Sequence, residues 1–358
     1  MELLILFFYI QFLHVYKKPY PRACHTGYPW VIMKRSTIQM TKKILVLIPV
    51  KDKHKLQLEE TAPNGIFTYA SPLTVTEKMA AESHIIIGNV PPKLLRASEK
   101  LELLQLNSSG ADAYIKEGLL APGTMLASAT GAYGKAVSEH MLAMLLSLQK
   151  KLHLYRDAQN RKEWADEGEV VSITDSRILV LGLGDIGRSF AALTKALGAY
   201  VIGMKRRPGT APSCVHELLP TEELKQVLPT VDAVVSFLPN TPETKHLFDR
   251  TLLSLMKPSA ILLNGGRGNS VDPDALYDAL SSGALYAAGL DVTDPEPLPP
   301  GHRLWSLPNV YITPHVAGKY HLPETLDRIV EIACSNLSSH LDGKPLKNLI
   351  DLTTGYCK

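Results

Sequence analysis

Short apolar runs recur along the chain from residue 43 onward, and stretches with helical spacing separate them. The first series of runs lies at residues 44–48, 66–69, 84–87, 103–106 and 125–127. Runs of this length that alternate with helical patterns predict parallel strands joined by crossover helices. We therefore expect the first part of the chain to form a parallel α/β sheet.

A longer amphipathic stretch at 135–154 follows this series. It carries Val137, Met141 and Leu148 at helical spacing, and it predicts a connecting helix between two domains. A second alternating series then begins, and six strands at its spacing favour a doubly wound sheet. Its strand candidates are residues 178–181, 200–203, 233–238, 260–263, 286–290 and 310–313.

The last helical pattern, at 323–341, is expected to pack back on the first domain and to make that domain discontinuous in sequence. Length agrees with two domains, because 358 residues at roughly 150 per domain give about two. The fold class is α/β with two doubly wound parallel-sheet domains. We expect the first domain at 40–138 plus 319–358 and the second at 139–318.

Residues 1–39 are expected to lie outside the fold. Their apolar run, 3–15, is thirteen positions long, short of the roughly 20 residues that a membrane-spanning helix needs. A secretory signal has positive residues before its apolar run, whereas Lys17 and Lys18 come after this one. Met40 is followed by an apolar strand pattern typical of the start of a cytosolic enzyme. We expect a cytoplasmic protein with no membrane partner.

Composition and charge favour a small partner molecule. The chain is 45% apolar and 20% charged, close to the average of soluble globular proteins, which argues against disorder. Thirty-eight Lys plus Arg against 35 Asp plus Glu leave a net charge of +3, too small to indicate a nucleic-acid partner. The four cysteines form no Cys-x-x-Cys pair, so the sequence suggests neither a metal site nor a disulfide framework.

A Gly-x-Gly-x-x-Gly loop stands between the strand candidate at 178–181 and the helix after it. The first glycine permits a tight turn, the second lets backbone approach a pyrophosphate, and the third lets the helix pack closely. Free amides at the helix N-terminus then face the phosphates. An ordinary glycine-rich turn is the less favoured interpretation. The residues expected to bind a dinucleotide here are Gly182, Gly184, Asp185, Ile186 and Gly187.

The turn after the second strand of this series favours NADP. A site that prefers NAD normally has an Asp or Glu there for the ribose hydroxyls. This chain has Lys205, Arg206 and Arg207 instead. Three cations favour the additional 2′-phosphate through charge-assisted hydrogen bonds. We therefore prefer NADP(H) over NAD(H), the alternative being a solvated basic loop.

Three polar segments follow later strands of the second series. Open α/β sheets bind ligands beyond the carboxyl ends of their strands. We therefore expect Arg267, Glu296 and His315 to converge beside the nicotinamide. The alternatives are a surface arginine, a structural histidine and a solvated acidic loop. The segments are residues 264–268, 291–297 and 313–318.

These three residue types suit the reduction of a 2-keto acid. The reaction requires a cation that orients the carboxylate and carbonyl, a proton donor at the carbonyl oxygen, and a hydride. Arg267 can make bidentate contacts and stays charged. His315 is the natural proton donor, because an imidazole changes its protonation near neutral pH. Glu296 would hold its ring and favour the imidazolium.

The motifs Gly-Leu-Gly-Asp-Ile-Gly, Asn-Gly-Gly-Arg-Gly, Gly-Leu-Asp-Val followed by Glu-Pro, and Thr-Pro-His-Val-Ala-Gly together resemble those of the D-isomer-specific 2-hydroxyacid dehydrogenases. The resemblance is strongest over 139–318, and within the family the chain is most similar to the glyoxylate/hydroxypyruvate reductases. It implies a flavodoxin-like substrate domain, a Rossmann dinucleotide-binding domain, and NAD(P)-dependent reduction of a small 2-keto acid to the D-2-hydroxy acid. It also implies a homodimer.

The resemblance implies further contacts. Asp291 would contact the nicotinamide amide, and Leu238, Pro239 and Gly265 would border the cofactor. Backbone amides in the first domain would bind the substrate carboxylate together with Arg267. The matching turn consists of Gly88, Asn89 and Val90.

Two other functions stay open at this point. One is a phosphoglycerate dehydrogenase-like enzyme of the same family. The other is a non-catalytic, dinucleotide-sensing protein like the corepressors that share this fold. The presence of Arg267, Glu296 and His315 argues against the second.

Overall fold

Two parallel sheets organise the chain in a computed structural model that describes residues 41–206, 209–355 and 357. The first sheet has five strands in the order β2-β1-β3-β4-β5, all paired in parallel. This is the 2-1-3-4-5 order of flavodoxin-like folds, so the predicted class is confirmed. The strands are β1 (Lys43–Val46), β2 (Ile66–Tyr69), β3 (Ile85–Ile87), β4 (Leu103–Gln105) and β5 (Met125–Ala127).

The second sheet has seven parallel strands in the order β12-β11-β10-β9-β6-β7-β8. Counted from β6, this is the 3-2-1-4-5-6 Rossmann order with one further strand. The doubly wound sheet is therefore confirmed. Its strands are β6 (Arg177–Leu181), β7 (Tyr200–Lys205), β8 (Glu217–Pro220), β9 (Ala233–Ser236), β10 (Ile261–Asn264), β11 (Ala287–Leu290) and β12 (Val310–Ile312).

Strand β8 differs from the sequence prediction, which gives this sheet six strands. All four of its residues are half-buried, because it lies at the edge of the sheet. The inner strand β9 is instead completely buried. Strands buried on both faces read as continuous apolar runs, and β8 lacks that signal.

The helices lie between and beside the strands. The predicted connecting helix at 135–154 is two helices, because Lys151 takes a left-handed conformation with φ 56°. The predicted C-terminal helix is present. The helices are α1 (Asp52–Thr61), α2 (Glu77–Glu82), α3 (Gly134–Gln149), α4 (Leu152–Arg161), α5 (Asp185–Ala196), α6 (Leu224–Val227), α7 (Arg250–Leu253), α8 (Pro273–Ser281) and α9 (Pro323–Leu341), with 3₁₀ turns at Pro92–Leu94, Thr221–Glu223, Leu228–Thr230, Gly268–Ser270 and Arg303–Ser306.

Helices α3 and α9 support the two sheets. The buried face of α3, which includes Met141 and Leu148, packs against α5 and against β10 and β11. Helix α9 packs against α1 and β4, and the buried Asn336 donates a 2.6 Å hydrogen bond to Gln105. The last helix therefore belongs with the first sheet, as the discontinuous arrangement requires.

The domain boundaries themselves stay a prediction, since Thr41–Lys358 forms one compact unit. The predicted extension at 1–39 and the cofactor residue Arg207 lie outside the described residues. No helix within the described ranges is long and apolar enough to cross a bilayer.

Candidate active site

The glycine loop joins β6 to α5, as predicted. Gly182 has a φ of 88°, a conformation that glycine adopts without strain. A methyl group at position 187 would lie 2.1 Å from the Gly182 carbonyl oxygen, so the helix packs directly on the loop. At Gly184 an added methyl group would meet no protein atom within 4 Å. The loop thus leaves open space at its second glycine, next to the first amides of α5, which have no acceptor within the helix.

The other two predicted loop residues face the protein. Asp185 Oδ2 accepts a 3.2 Å hydrogen bond from the backbone amide of Gly131, before α3. Ile186 is half-buried against the hydrophobic core. Their side chains therefore fix the start of α5, and their contact with a cofactor stays a prediction.

The basic turn adjoins the glycine loop. Strand β7 pairs with β6 and ends at Lys205, and the amide of Gly182 donates to the Met204 carbonyl at 3.2 Å. Lys205 is half-buried and Arg206 is exposed. This places two of the three predicted cations at the end of the strand next to the one that leads into the loop.

His315 and Glu296 form a pair. His315 Nδ1 lies 2.6 Å from Glu296 Oε1, and both side chains are close to half exposed. Because an ionised carboxylate only accepts hydrogen bonds, Nδ1 carries the proton in this contact. Nε2 is then the ring atom left to exchange a proton with a substrate. The structure therefore brings together two of the three predicted catalytic residues, from loops after β11 and β12.

Asp291 holds the loop that carries His315. Its side chain is buried, and it accepts hydrogen bonds from the Thr313 hydroxyl at 2.7 Å and from the amides of Val316 and Ala317 at 3.0 to 3.3 Å. Both of its oxygens therefore have partners inside the chain. Its predicted contact with the nicotinamide amide stays a prediction.

Arg267 reaches from the second sheet to the first. Its Nε donates to Asp112 Oδ2 at 2.9 Å, and Nη1 donates to the Gly266 carbonyl at 2.9 Å. A methyl group at position 110 would lie 1.6 Å from Nη2, so the guanidinium lies directly against the Gly110 backbone. The remaining N–H groups can bind a carboxylate.

The predicted carboxylate-binding turn needs a correction. The amide of Gly88 donates to the Gln105 carbonyl at 2.8 Å and that of Val90 to the Gly88 carbonyl at 3.0 Å. The amide of Asn89 donates to Asn107 Oδ1 at 2.6 Å. All three amides of the turn are therefore used inside the chain and do not present donors to a substrate.

The loop after β4 offers donors instead. Within the described residues, the amides of Ser108, Ser109 and Gly110 have no acceptor, and this is the loop that Arg267 contacts. Asn107 also contacts both segments that connect the two sheets, because its Nδ2 donates to the Tyr320 hydroxyl at 2.7 Å and its carbonyl accepts from Tyr133. Burial raises the pKa of the Tyr320 hydroxyl, so this group stays protonated to a higher pH than an exposed tyrosine does.

Sequence reasoning missed Asp112, Asn107 and Tyr320. Asn107 and Asp112 follow the carboxyl end of β4, so the strand-end rule applied to the second sheet would also have found them in the first. Tyr320 lies in the loop that leads from β12 to α9, and no local pattern marks it.

Comparison with known proteins agrees with this geometry. The family model described as "D-isomer specific 2-hydroxyacid dehydrogenase, NAD binding domain" matches residues 142–317. A glyoxylate/hydroxypyruvate reductase B from Erwinia tasmaniensis is 31% identical over 271 residues, which are 74% of this chain and 83% of the relative. A D-isomer specific 2-hydroxyacid dehydrogenase family protein from Aeromonas salmonicida is 32% identical with a TM-score of 0.77, covering 87% of this chain and 99% of that one.

The chain belongs to the D-isomer specific 2-hydroxyacid dehydrogenase family. A further structure, the family member from Xanthobacter autotrophicus in complex with NADPH and MES, is 26% identical with a TM-score of 0.75, covering 88% of this chain and all of that one. Membership makes the protein an NAD(P)-dependent oxidoreductase that acts on small 2-hydroxy or 2-keto acids.

The residues of this dehydrogenase fit a dinucleotide. Gly184 leaves the space that a pyrophosphate needs, and Gly187 lets α5 approach so that its first amides face that space. A methyl group on Gly266 would lie 2.6 Å from the backbone oxygen and 2.7 Å from the backbone nitrogen of Leu238. The loops after β9 and β10 are therefore packed closely at this edge of the sheet. Leu238, Pro239 and Gly265 are thus placed at the predicted strand ends, and their cofactor contacts stay predictions.

Gly184→Ala is expected to raise the Kd of NADPH and of NADH by about 10-fold or more, equivalent to about 1.4 kcal/mol. The methyl group touches no protein atom, but it would occupy the space in which we expect the pyrophosphate. The free energy of unfolding should change by no more than about 1 kcal/mol. Cofactor titration by fluorescence and thermal unfolding measure the two effects.

Gly301→Ala is the matched control, since position 301 also has open space around the added methyl group. It should change neither cofactor affinity nor stability. Wild-type affinity in Gly184→Ala would contradict the assignment of the loop.

Proposed function

We propose that this dehydrogenase reduces a short 2-keto acid of the glyoxylate or hydroxypyruvate type to the D-2-hydroxy acid, with His315 as the proton donor and NADPH as the preferred cofactor. The 2.6 Å contact between His315 Nδ1 and Glu296 Oε1 carries this proposal. It leaves Nε2 as the exchangeable site at the carboxyl edge of the sheet that also holds the glycine loop. The relatives named glyoxylate/hydroxypyruvate reductase support the substrate class.

Each of the three side chains has its own role in the reduction of the keto acid. Arg267 binds the substrate carboxylate and orients the carbonyl group. His315 donates its Nε2 proton to the carbonyl oxygen as C2 becomes tetrahedral, and Glu296 stabilises the imidazolium before the transfer and keeps the ring in place afterwards. A dinucleotide held at the glycine loop of Gly182, Gly184 and Gly187 would supply the hydride that C2 receives. The product is the 2-hydroxy acid. His315 is left as a neutral imidazole with its proton on Nδ1 and none on Nε2.

The basic turn supports the preference for NADPH. Lys205 and Arg206 lie at the end of β7, next to the glycine loop, and no acid occupies this turn. The relative from Xanthobacter autotrophicus that was crystallised with NADPH shares the fold over 88% of this chain.

A panel of 2-keto acids assayed in parallel with NADPH and NADH tests reaction, substrate and cofactor together. We expect turnover with glyoxylate and hydroxypyruvate, and a higher kcat/KM with NADPH. The double variant Lys205→Ala with Arg206→Ala should lower kcat/KM for NADPH by about 10-fold or more, because each charge-assisted hydrogen bond contributes roughly 1.5 to 3 kcal/mol. With NADH, kcat/KM should stay within about two-fold of the wild-type value.

Lys344→Ala, an exposed cation after α9, is the control and should affect neither cofactor. Equal losses with both cofactors in the double variant would reject the 2′-phosphate assignment. Tight cofactor binding without turnover on any keto acid would favour the corepressor-like alternative, and turnover restricted to a phosphorylated substrate would favour the phosphoglycerate dehydrogenase-like one. The homodimer and the cytoplasmic location stay predictions, and light scattering measures the first.

A further inference from the structure

A hydrogen-bonded chain of three side chains lies beside the loop that carries His315. The Thr313 hydroxyl is 2.7 Å from Asp291 Oδ1, and His140 Nε2 is 3.0 Å from Thr313 Oγ1. His140 lies on α3, whereas Asp291 and Thr313 directly follow β11 and β12. The chain of contacts therefore connects helix α3 to the point where the His315 loop leaves the sheet.

The direction of each hydrogen bond follows from the chemistry of the three groups. An ionised carboxylate only accepts, so the single hydroxyl proton of Thr313 goes to Asp291. Thr313 Oγ1 then accepts from His140, and the proton in that contact belongs to Nε2. The same Nε2 is 3.8 Å from Asp291 Oδ1, so it also faces the negative charge.

Asp291, which accepts the Thr313 hydrogen bond, also holds the backbone around His315. Its carboxylate accepts from the amides of Val316 and Ala317, and its carbonyl oxygen accepts from the His315 amide at 2.8 Å. His315 has a φ of 50°. This left-handed conformation is uncommon for a residue with a side chain, and the hydrogen bonds that Asp291 accepts hold the backbone in it here.

We propose that His140 is a positioning residue for proton transfer, which acts through Thr313 and Asp291 to fix the loop that aims His315. The inference rests on the proposed role of His315 as proton donor. Helix α3 is suited to this task because it packs against α5 and the second sheet. His140 thus connects the loop of the proton donor to helix α3, which also packs against α5, the helix that follows the glycine loop.

Two single variants break the chain of contacts, His140→Leu and Thr313→Val, and both nearly preserve side-chain volume. We expect each to lower kcat between about 10- and 100-fold, since a displacement of roughly 1 Å at a reacting group can cost 10²-fold. KM for NADPH should stay within about two-fold of wild type. The pH profile of kcat should keep its shape, because the contact between His315 Nδ1 and Glu296 is left intact. Thr313→Ser retains the hydroxyl and should restore most of kcat.

The double variant His140→Leu with Thr313→Val should be no slower than Thr313→Val alone, because loss of the Thr313 hydroxyl already removes the contact through which His140 acts. His153→Leu is the matched control. Its ring packs edge-on against Tyr311, two residues before Thr313, with centroids 6.5 Å apart, and it should leave kcat unchanged.

Wild-type kcat in His140→Leu, an equal loss in His153→Leu, or additive losses in the double variant would each overturn the positioning role. A changed pH profile would overturn it too. If His140→Leu and His315→Ala removed the same limb of the pH profile of kcat, His140 would itself transfer the proton. If His315→Ala retains turnover, the proposed function fails, and this outcome is read independently of every His140 variant.

Discussion

Replacement of His315 by alanine is expected to lower kcat for keto-acid reduction by about 10³-fold, within the range of roughly 10² to 10⁴ that a positioned general acid contributes. The imidazole is the group whose Nε2 remains open to a substrate while Nδ1 is held by Glu296 at 2.6 Å. Without it, water must protonate the developing alkoxide. The affinity for NADPH should not change, because the glycine loop is intact. Steady-state kinetics and cofactor titration measure the two quantities.

Glu296→Gln is expected to lower kcat less than His315→Ala does. The amide keeps the size of the side chain and removes its charge, so His315 stays in place but its imidazolium loses stabilisation. We expect a fall in kcat of about 10- to 100-fold, smaller than that of His315→Ala. The side chain of Glu296 is 44% exposed, so water screens part of the charge and the effect on stability should be small.

A His315→Ala variant that keeps more than a tenth of wild-type kcat would reject the proton-donor assignment.

The sequence predicted the parts of this molecule that depend on local pattern. Apolar runs located eleven of the twelve strands, and the rule that ligands bind at the carboxyl ends of parallel strands placed Glu296 and His315 together. The glycine spacing predicted both the turn at Gly182 and the close packing at Gly187. Each of these features is encoded within about thirty consecutive residues.

The missed features depend on contacts between distant segments. Asp112 meets Arg267 across 155 positions, and His140 meets Thr313 across 173. The amides of the turn at Gly88 were assigned to the substrate by resemblance, yet Asn107, 18 positions from Asn89, takes one of them. Such pairings are set by how helices, strands and loops that are distant in sequence pack together, and no local spacing reports them.

Replacement of Arg267 by alanine is expected to lower kcat/KM for the keto acid by roughly 10³-fold, because loss of a hydrogen-bonded charge partner for a carboxylate costs about 2 to 5 kcal/mol. The loss should appear in KM as well as in kcat, since the guanidinium both binds the carboxylate and orients the carbonyl. Arg267→Lys should recover only part of it, because an ammonium group cannot make the bidentate contact. The affinity for NADPH should remain that of the wild type.

Asp112→Asn separates the substrate contact from the contact between the two sheets. The ion pair joins Arg267 Nε to Asp112 Oδ2 at 2.9 Å, with the two side chains 32% and 35% exposed. An asparagine still accepts a hydrogen bond from Nε, so the guanidinium should stay close to Gly110 and kcat/KM should fall by no more than about 10-fold. Arg303→Ala, which removes an exposed arginine paired with Asp274, is the matched control and should leave kinetics unchanged. If Arg267→Ala and Arg303→Ala had the same kcat/KM, Arg267 would be a surface charge, and carboxylate recognition would have to come from the amides of the loop after β4 alone.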